Sequence, residues 1–299
     1  MPLLVLLTVA SLIGSLTTAL VWRFAPGSST TEVVSKVVSV GSHELPPMRA
    51  WLRRRRDPKV ATGLMLSVAA LIVAAGTLMI AVLALLVRSN ETLRRFDSGV
   101  ARWGSEHGSH ISDRGLTFVT DLGDARTLVV LGVVLVVVEV IRAPNRYILP
   151  FVLVTTLGNH LLTTGVKDLV DRARPTLNPV AQSLGPSFPS GHTSNAAAFY
   201  AVAALLLGRH LGHAPRAALA GSAVGLAVAV AASRVLLDVH WLSDVIAGLA
   251  LGYAWFAACT IAFGGRLLRF GVAAEVARET ARAPVSSEGP EKQALDSKV

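Results

Sequence analysis

Two histidines and a carboxylate in the C-terminal half of the chain have the types and spacing that nucleophilic catalysis requires. His240 and Asp244 are four residues apart, so on a helix the carboxylate reaches one nitrogen of the imidazole ring. That bond fixes the tautomer and leaves the other nitrogen free to attack. His192 is a second histidine, directly before an apolar segment. An ordinary helix-surface pair is the alternative interpretation of His240 and Asp244.

Three basic residues and a Ser-Gly turn accompany these side chains. Lys167 and Arg174 are seven residues apart, or two helical turns, so we expect both to project from one face of a helix. Ser190 and Gly191 precede an apolar segment, where free backbone N–H groups and the helix dipole attract an anion. Arg234 has the geometry for a bidentate pair with phosphate oxygens. Taken singly, these features also fit a basic headgroup rim, an N-cap turn and a loop arginine.

The elements that position these residues are apolar helices. Hydrophobic residues make up 52% of the 299 residues and charged residues only 16%, against about 25% in soluble domains. Since hydrocarbon cannot satisfy backbone polar groups, runs of this kind predict membrane helices. Seven apolar segments are found, at about 3–22, 60–87, 116–141, 147–166, 193–207, 215–232 and 245–263. The fold class predicted is all-α, a polytopic membrane helical bundle.

The charge distribution predicts the orientation of the bundle. The net charge of +9 is concentrated beside apolar runs, which favours a role in topology over nucleic-acid binding. The run Arg53–Arg56 places the segment 23–59 in the cytoplasm, and alternation then puts residues 88–126, 167–192 and 233–244 on the extracytoplasmic side. A cleaved signal peptide is the alternative for the first segment. It lacks a basic start, so we expect a retained helix with its N-terminus outside.

The shared location of these residues indicates that they form one functional site. The orientation rests mainly on charges in other loops. It nevertheless brings the three stretches that contain these residues, 167–175, 189–192 and 233–244, to one membrane face. Cationic anchors, a backbone anion site and two histidines form the inventory of a phosphoryl-transfer site. Ionisable groups within a membrane are costly, so their clustering at one membrane boundary favours a functional role. The single cysteine, Cys259, excludes an internal disulfide and a Cys-based metal site.

Three motifs carry a family resemblance. They are Lys-x6-Arg-Pro from Lys167, Pro-Ser-Gly-His ending at His192, and Ser-Arg-x5-His-x3-Asp ending at Asp244. Together they resemble the type 2 phosphatidic acid phosphatase (PAP2) superfamily, which includes bacterial membrane lipid phosphatases. The resemblance covers about residues 60–264 and implies a six-helix core. It leaves 1–59 as an extra N-terminal transmembrane helix with a basic cytoplasmic linker, and 265–299 as a disordered cytoplasmic tail.

The resemblance also implies a role for each site residue. His240 becomes a phosphohistidine with Asp244 orienting it, and His192 protonates the leaving group and later activates water. The phosphoryl oxygens are held by five residues, Lys167, Arg174, Ser190, Gly191 and Arg234. The chemistry implied needs no metal and no cofactor.

The implied function is hydrolysis of a lipid phosphate on the extracytoplasmic face of the plasma membrane. Polyprenyl diphosphate is the first expected substrate, because recycling that carrier needs an outward site, and phosphatidylglycerol phosphate and phosphatidate follow. Two alternatives stay open, a lipid phosphotransferase and a non-catalytic protein that binds or translocates lipid phosphates. Neither oligomeric state nor lipid tail follows from the residues.

Three further residues lie close to the motifs. Asn159 lies within the fourth apolar segment, where we expect a hydrogen bond to another helix. Asp171 follows Lys167 by four residues, and we expect it to form a supporting salt bridge. The segment from Arg94 to His110 is interpreted either as a helix lying flat on the membrane or as an ordinary loop.

Overall fold

The chain folds into helices alone within the residues described by its computed structural model, which are 2–24, 58–107, 110–175 and 185–267. The helices, numbered in chain order, are α1 Pro2–Phe24, α2 Pro58–Ser89, α3 Glu91–Glu106, α4 His110–Asp121, α5 Ala125–Arg142, α6 Ile148–Val170, α7 Gly191–Gly208, α8 His213–Leu236 and α9 Leu242–Leu267. The predicted all-α membrane bundle is confirmed.

The bundle is built around α7, which packs against α5, α6, α8 and α9. Small alanines and larger apolar residues alternate along α7 and are buried, among them Ala197, Phe199 and Val202. The outer helices expose large apolar side chains instead, such as Leu78 on α2 and Ile141 on α5. Among the helices of the described residues, five are long and apolar enough to cross a membrane, over Pro2–Val21, Leu66–Ser89, Ile148–Val170, His213–Leu236 and Leu242–Gly264.

One predicted segment, 116–141, is wrong as a single element. The chain turns at residues 122–124, so α4 and α5 are separate helices. Asp124 caps α5, because its side chain accepts a hydrogen bond from Arg126 N at 2.9 Å. A side chain at Gly123 would meet Val230 at 2.6 Å, so the turn fits closely against α8. The other six segments match the helices closely.

The extra N-terminal helix packs directly on the core. Helix α1 lies along α8, where Gly14 and Gly221 bring the two backbones together. A Cβ built at Gly221 would clash with Gly14 O. The contacts run antiparallel, with Ala10 beside Gly225 and Thr18 beside Gly221. The N-terminal end of α1 therefore lies at the same end of the bundle as the C-terminal end of α8.

The opposite end of the bundle holds a buried ion pair. Arg209, just after α7, contacts Glu139 of α5 at 2.8 Å, and both side chains are buried. The same guanidinium donates to Ala143 O at 2.7 Å, which joins the loop after α5 to the end of α7. Arg142 and Arg146 lie at this end as well.

The division into an N-terminal part, a core and a tail stays a prediction. The Arg53–Arg56 run falls in residues 25–57, and most of the tail falls in 268–299, both outside the described residues.

Candidate active site

All three motif segments meet at one end of the bundle. Lys167 lies in the last turn of α6, and Ser190 is the N-cap of α7. Arg234 lies in the last turn of α8, and the loop that follows carries His240 to the start of α9, where Asp244 stands in the first turn. The placement of the three segments on one face, predicted from the sequence, is therefore found in the structure.

His240 and Asp244 form the buried centre of this end. His240 is 1% exposed and Asp244 is fully buried. The Asp244 Oδ2 atom lies 3.5 Å from His240 Nδ1, and the Ser187 hydroxyl lies 3.3 Å from the same nitrogen while donating to Asp244 Oδ2. His240 lies two residues before α9 rather than inside a helix. The carboxylate still reaches it, because Asp244 folds back and accepts from Trp241 N at 3.0 Å.

The second nitrogen of His240 faces a cation. Arg174 Nη1 lies 3.1 Å from His240 Nε2, and the same guanidinium nitrogen donates to Val239 O at 2.7 Å. Because arginine has only donors, Nε2 must be the acceptor and the ring proton lies on Nδ1, towards Asp244. This tautomer leaves a lone pair on Nε2, which points to the basic side of the site.

The predicted helical alignment of Lys167 and Arg174 is wrong, although the two side chains do meet. Helix α6 ends at Val170, and Asp171 follows in a left-handed conformation with φ 46°. Residues 171–175 continue outside any helix. Lys167 Nζ donates to Pro186 O at 2.5 Å, and Arg174 Nη2 contacts the same oxygen at 3.4 Å. A turn, and not two turns of helix, brings the cations together.

Ser190 and Gly191 form the expected helix N-terminus. Ser190 makes no capping bond with its side chain, and its hydroxyl accepts from Thr193 Oγ1 at 3.0 Å. The first N–H groups of a helix have no partner within it, so those after Ser190 are available to an anion. Gly191 keeps the approach open, since a Cβ there would lie 3.9 Å from Lys167 Cε.

Arg234 closes the other side of the site. Its backbone oxygen accepts from both Val239 N and His240 N at 3.2 Å, so it also shapes the loop that carries the histidine. The guanidinium contacts Thr120 Oγ1 at 3.3 Å through Nη1. Its Nε atom is buried and has no hydrogen-bond partner among the described residues, which leaves a donor for a bound anion.

The second histidine stands at the rim. The His192 side chain is 31% exposed, and its Nε2 lies 3.8 Å from Asp124 Oδ2 at the start of α5. Burial and the nearby Arg234 lower the pKa of His192 to about 4, and Asp124 acts in the opposite direction. His192 lies outside the five spans and is neutral at pH 7 in the free site.

Burial also dominates the other groups of the site that lie outside the spans. It lowers the pKa of His240 to about 3, against the opposing effect of Asp244. The pKa of Arg174 is lowered by burial as well, and Asp244 raises it. His240 is therefore neutral at physiological pH, as a nucleophile must be. Within the described residues, no group of three or more His, Cys, Asp or Glu side chains is arranged to hold a metal ion.

Sequence reasoning missed several residues that support Asp244. Ser187, in the loop before α7, and Ser243, in the first turn of α9, are buried polar residues, and Arg172 and Asp97 join them in one hydrogen-bonded network. Ser187 lies two residues before the Pro-Ser-Gly-His motif, so the preceding Pro-Ser-Phe was an available signal. Asp97 lies on α3, and nothing in its local sequence sets it apart from the other acids of that segment.

Two expectations for neighbouring residues have different outcomes. Asn159 does bond to another helix, since its Nδ2 donates to Asn195 Oδ1 at 2.8 Å and its Oδ1 accepts from Ser194 Oγ at 2.9 Å. The salt bridge expected of Asp171 is formed by its neighbour Arg172 instead, because Asp171 ends the helix and faces outward.

Comparison with known proteins found a matching family and a similar structure. Residues 148–267 match the family described as the PAP2 superfamily. A crystal structure of a transmembrane PAP2-type phosphatidylglycerolphosphate phosphatase from Bacillus subtilis superposes with a TM-score of 0.60 and 27% identity, covering 66% of this chain and 98% of that one. The resemblance to the PAP2 superfamily is confirmed.

Similar sequences include several phosphatases. Phosphatidylglycerophosphatase B of Bacillus subtilis is 37% identical over 102 residues, which are 33% of this chain and 49% of the relative. Lipid A 1-phosphatase of Rhizobium johnstonii is 37% identical over 116 residues, which are 36% of this chain and 43% of the relative. Decaprenylphosphoryl-5-phosphoribose phosphatase of Mycobacterium tuberculosis is 37% identical over 111 residues, which are 36% of this chain and 56% of the relative. The chain thus spans about half the length of these relatives.

Proposed function

We propose that this chain, whose residues 148–267 match the PAP2 superfamily, is a multi-pass membrane phosphatase that hydrolyses a lipid phosphate through a phosphohistidine. One observation carries the proposal. The lone pair of His240 Nε2 points towards cationic side chains and accepts from Arg174 Nη1 at 3.1 Å, while Asp244 and Ser187 contact Nδ1 on the other side of the ring.

The reaction needs a phosphoryl group between Arg174 and His240. The phosphoryl oxygens bind to the cations Lys167, Arg174 and Arg234, to the Ser190 hydroxyl and to the N–H groups that begin α7. Such chemistry depends mostly on positioning and charge stabilisation. With the group held in line, His240 Nε2 attacks phosphorus and the bond to the lipid oxygen breaks.

His192 completes the transfer of protons. It gives a proton to the departing lipid oxygen, and in the second step it takes a proton from water, which attacks the phosphohistidine. The P–N bond then breaks, inorganic phosphate leaves and His240 is restored. Because His192 is neutral in the free site, the bound phosphate must supply the negative charge that keeps it protonated.

The substrate class is a lipid phosphate or diphosphate, and the relatives support the class more than any one lipid. Their names refer to phosphatidylglycerophosphate, lipid A and a decaprenyl-linked phosphoribose. The residues of the site contact a phosphoryl group, so they do not select the tail. Polyprenyl diphosphate, phosphatidylglycerol phosphate and phosphatidate are therefore the panel to compare.

A phosphate-release assay tests the function. Purified protein is supplied with each lipid of the panel, and we expect inorganic phosphate from at least one. His240→Ala should lower turnover about 10³-fold or more, because no nucleophile remains. His160→Ala is the matched control, since His160 is exposed on α6, and it should retain activity. No release from any lipid, or full activity of His240→Ala, would contradict the proposal, and a phosphorylated acceptor would indicate a transferase.

A further inference from the structure

Asp97 is a buried carboxylate on the inward side of α3, which it shares with the small residues Ala101 and Gly104. It is 1% exposed, whereas Glu91 and Glu106 at the two ends of α3 are exposed. Helix α3 begins beside the end of α2, where Asn90 caps it through a bond to Leu93 N at 2.9 Å. A buried carboxylate needs charged or hydrogen-bonding partners, so its contacts indicate its purpose.

The partners of Asp97 belong to the active-site end. Its Oδ1 accepts from Ser243 N at 3.0 Å, and its Oδ2 accepts from Ser243 Oγ at 2.5 Å. Arg172 Nη2 donates to the same Oδ2 at 2.8 Å. Asp97 is thus joined to the residue directly before Asp244 and to the chain that follows α6.

Arg172 extends this network to the nucleophile. Its Nη1 donates to Asp244 Oδ1 at 2.7 Å and to Ser243 Oγ at 2.7 Å, so one guanidinium bridges two carboxylates. Its carbon Cζ lies 5.4 Å above the ring of Trp241, which fixes the plane of the fork. Asp244 presents Oδ1 to Arg172 and Oδ2 to His240. The contacts form a continuous series, Asp97–Arg172–Asp244–His240.

We propose that Asp97 and Arg172 are positioning residues for the nucleophile His240, acting through Asp244. The proposal rests on the proposed function. Asp97 lies outside the segment 148–267 that matches the family, so helix α3 adds to the core a residue that the shared motifs do not contain. Neither Asp97 nor Arg172 contacts the basic pocket, whose cations are Lys167, Arg174 and Arg234.

Two physical effects follow from a guanidinium shared between two carboxylates. First, bonds to Asp97 and Asp244 fix Arg172, and Arg172 in turn fixes the rotamer of Asp244. Second, the charge of Asp97 offsets part of the charge of Arg172, which leaves Asp244 more negative towards His240 Nδ1. Without Asp97, the whole positive charge of Arg172 would attract Asp244. The interaction of Asp244 with His240 Nδ1 would then be weaker.

Substitution of the charge alone provides the test. Asp97→Asn keeps the shape and removes the charge, and we expect kcat to fall about 10- to 100-fold, as for loss of a charged hydrogen bond. KM should stay within about twofold, since the residues that hold phosphate are unchanged. Glu91→Gln makes the same chemical change on the exposed face of α3 and should leave both constants unchanged.

A double variant separates positioning from general damage to the fold. If Asp97 acts through Asp244, then Asp97→Asn should have little further effect on kcat in an Asp244→Asn background. If the loss of kcat in the double variant equals the product of the two single losses, Asp97 acts by another route. Assays are normalised to monodisperse folded protein. Should Asp97→Asn fail to fold, Asp97→Glu and Arg172→Lys test the geometry of the bridge instead, because each keeps the charge but alters the bridge. Each should lower kcat in the wild-type background and have little further effect with Asp244→Asn.

The outcomes distinguish this proposal from the proposed function. Active wild-type protein, inactive His240→Ala and unchanged kcat for folded Asp97→Asn would overturn the positioning role alone. A rise in KM at constant kcat would overturn it too, because it would place Asp97 in substrate binding. Wild-type protein without lipid phosphatase activity would overturn the proposed function first.

Discussion

The two histidines of the site differ in what surrounds their rings. His240 is enclosed, with Asp244 and Ser187 on Nδ1 and Arg174 on Nε2, whereas His192 stands at the rim beside Asp124. A nucleophile must be neutral and held in place, and a general acid must be able to gain a proton. Enclosure suits the first role, and a nearby carboxylate at a partly exposed position suits the second.

Asp124 should control the pH at which His192 loses its proton. A general acid works below its pKa, and a carboxylate 3.8 Å away raises that pKa. We expect Asp124→Asn to move the alkaline limb of the kcat profile to lower pH by about half a unit, as for a partly exposed ion pair. Asparagine also caps helices well, so α5 should stay intact.

The pH profile of kcat provides the measurement. Glu106→Gln, at the exposed end of α3, is a control that should leave both limbs in place. An alkaline limb unmoved in Asp124→Asn would argue against His192 as the acid, or against Asp124 as its partner.

At this scale the sequence predicted the motif residues but not their supports. His240 and Asp244 were found because their spacing is local. Asp97 supports Asp244 from α3, far along the chain, and nothing next to Asp97 distinguishes it from a surface acid. Arg174 was expected on a continuous helix with Lys167, which is wrong, because the left-handed conformation at Asp171 is set by tertiary contacts. Among these, Arg88 donates to Leu169 O at 2.7 Å.

At the scale of elements, close packing of α7 against α9 positions the N-terminus of α7, where we propose that phosphate binds. Gly248 and Gly252 of α9 face the first turns of α7, and a Cβ at Gly248 would lie 2.7 Å from Ser190 O. Small residues allow two helices to approach at this distance. The same approach places Ser190 N 3.0 Å from Asp244 O, so the packing joins the N-terminus of α7 to the residue that contacts His240.

Gly248→Ala should therefore damage both stability and activity. The methyl group meets a backbone oxygen that cannot rotate away, so α9 and α7 must separate by a few tenths of an ångström or more. Overpacking of this kind lowers the free energy of unfolding by about 1–3 kcal/mol. The shift also displaces Ser190 relative to Asp244, so kcat should fall.

Gly165→Ala is the control for this prediction. Gly165 lies on α6 with nothing within 4 Å of the added methyl group. Its thermal stability in detergent and its phosphate release should match wild type or improve slightly, because alanine favours helix by about 0.5–1 kcal/mol. Equal effects at both positions would show that the close approach of α7 and α9 does not matter.

Element boundaries were predictable wherever an apolar run had polar ends. The segment 116–141 failed because apolar residues lie on both sides of the turn at 122–124. The pair Gly123-Asp124, a flexible residue followed by a strong N-cap, was the signal for a new helix there. The close fit of Gly123 against Val230 depends on packing, which a single sequence does not reveal.

At the scale of the whole molecule, the two ends of the bundle differ in charge and in content. The site end carries α3 and α4, where basic and acidic residues mix, and the three motif segments. The opposite end carries Arg142, Arg146, Arg209 and Arg216, and its two short connections, 143–147 and 209–212, contain no acid. The alternating direction of successive membrane helices was predictable from apolar runs and basic loops. The antiparallel packing of α1 on α8 agrees with it, and places the start of α1 at the site end.

This asymmetry predicts which end faces the cytoplasm. Basic connections stay inside because Lys and Arg resist translocation, so the site end should face outward. Cys259 is buried and is the single native cysteine, so a Cys259→Ala background allows new thiols to report the side. Ser105→Cys on α3 should react with a membrane-impermeant maleimide in intact cells. His210→Cys, in the turn after α7, should react only after permeabilisation. Labelling in the reverse order would place the site in the cytoplasm. It would also remove the argument for an outward-facing lipid substrate.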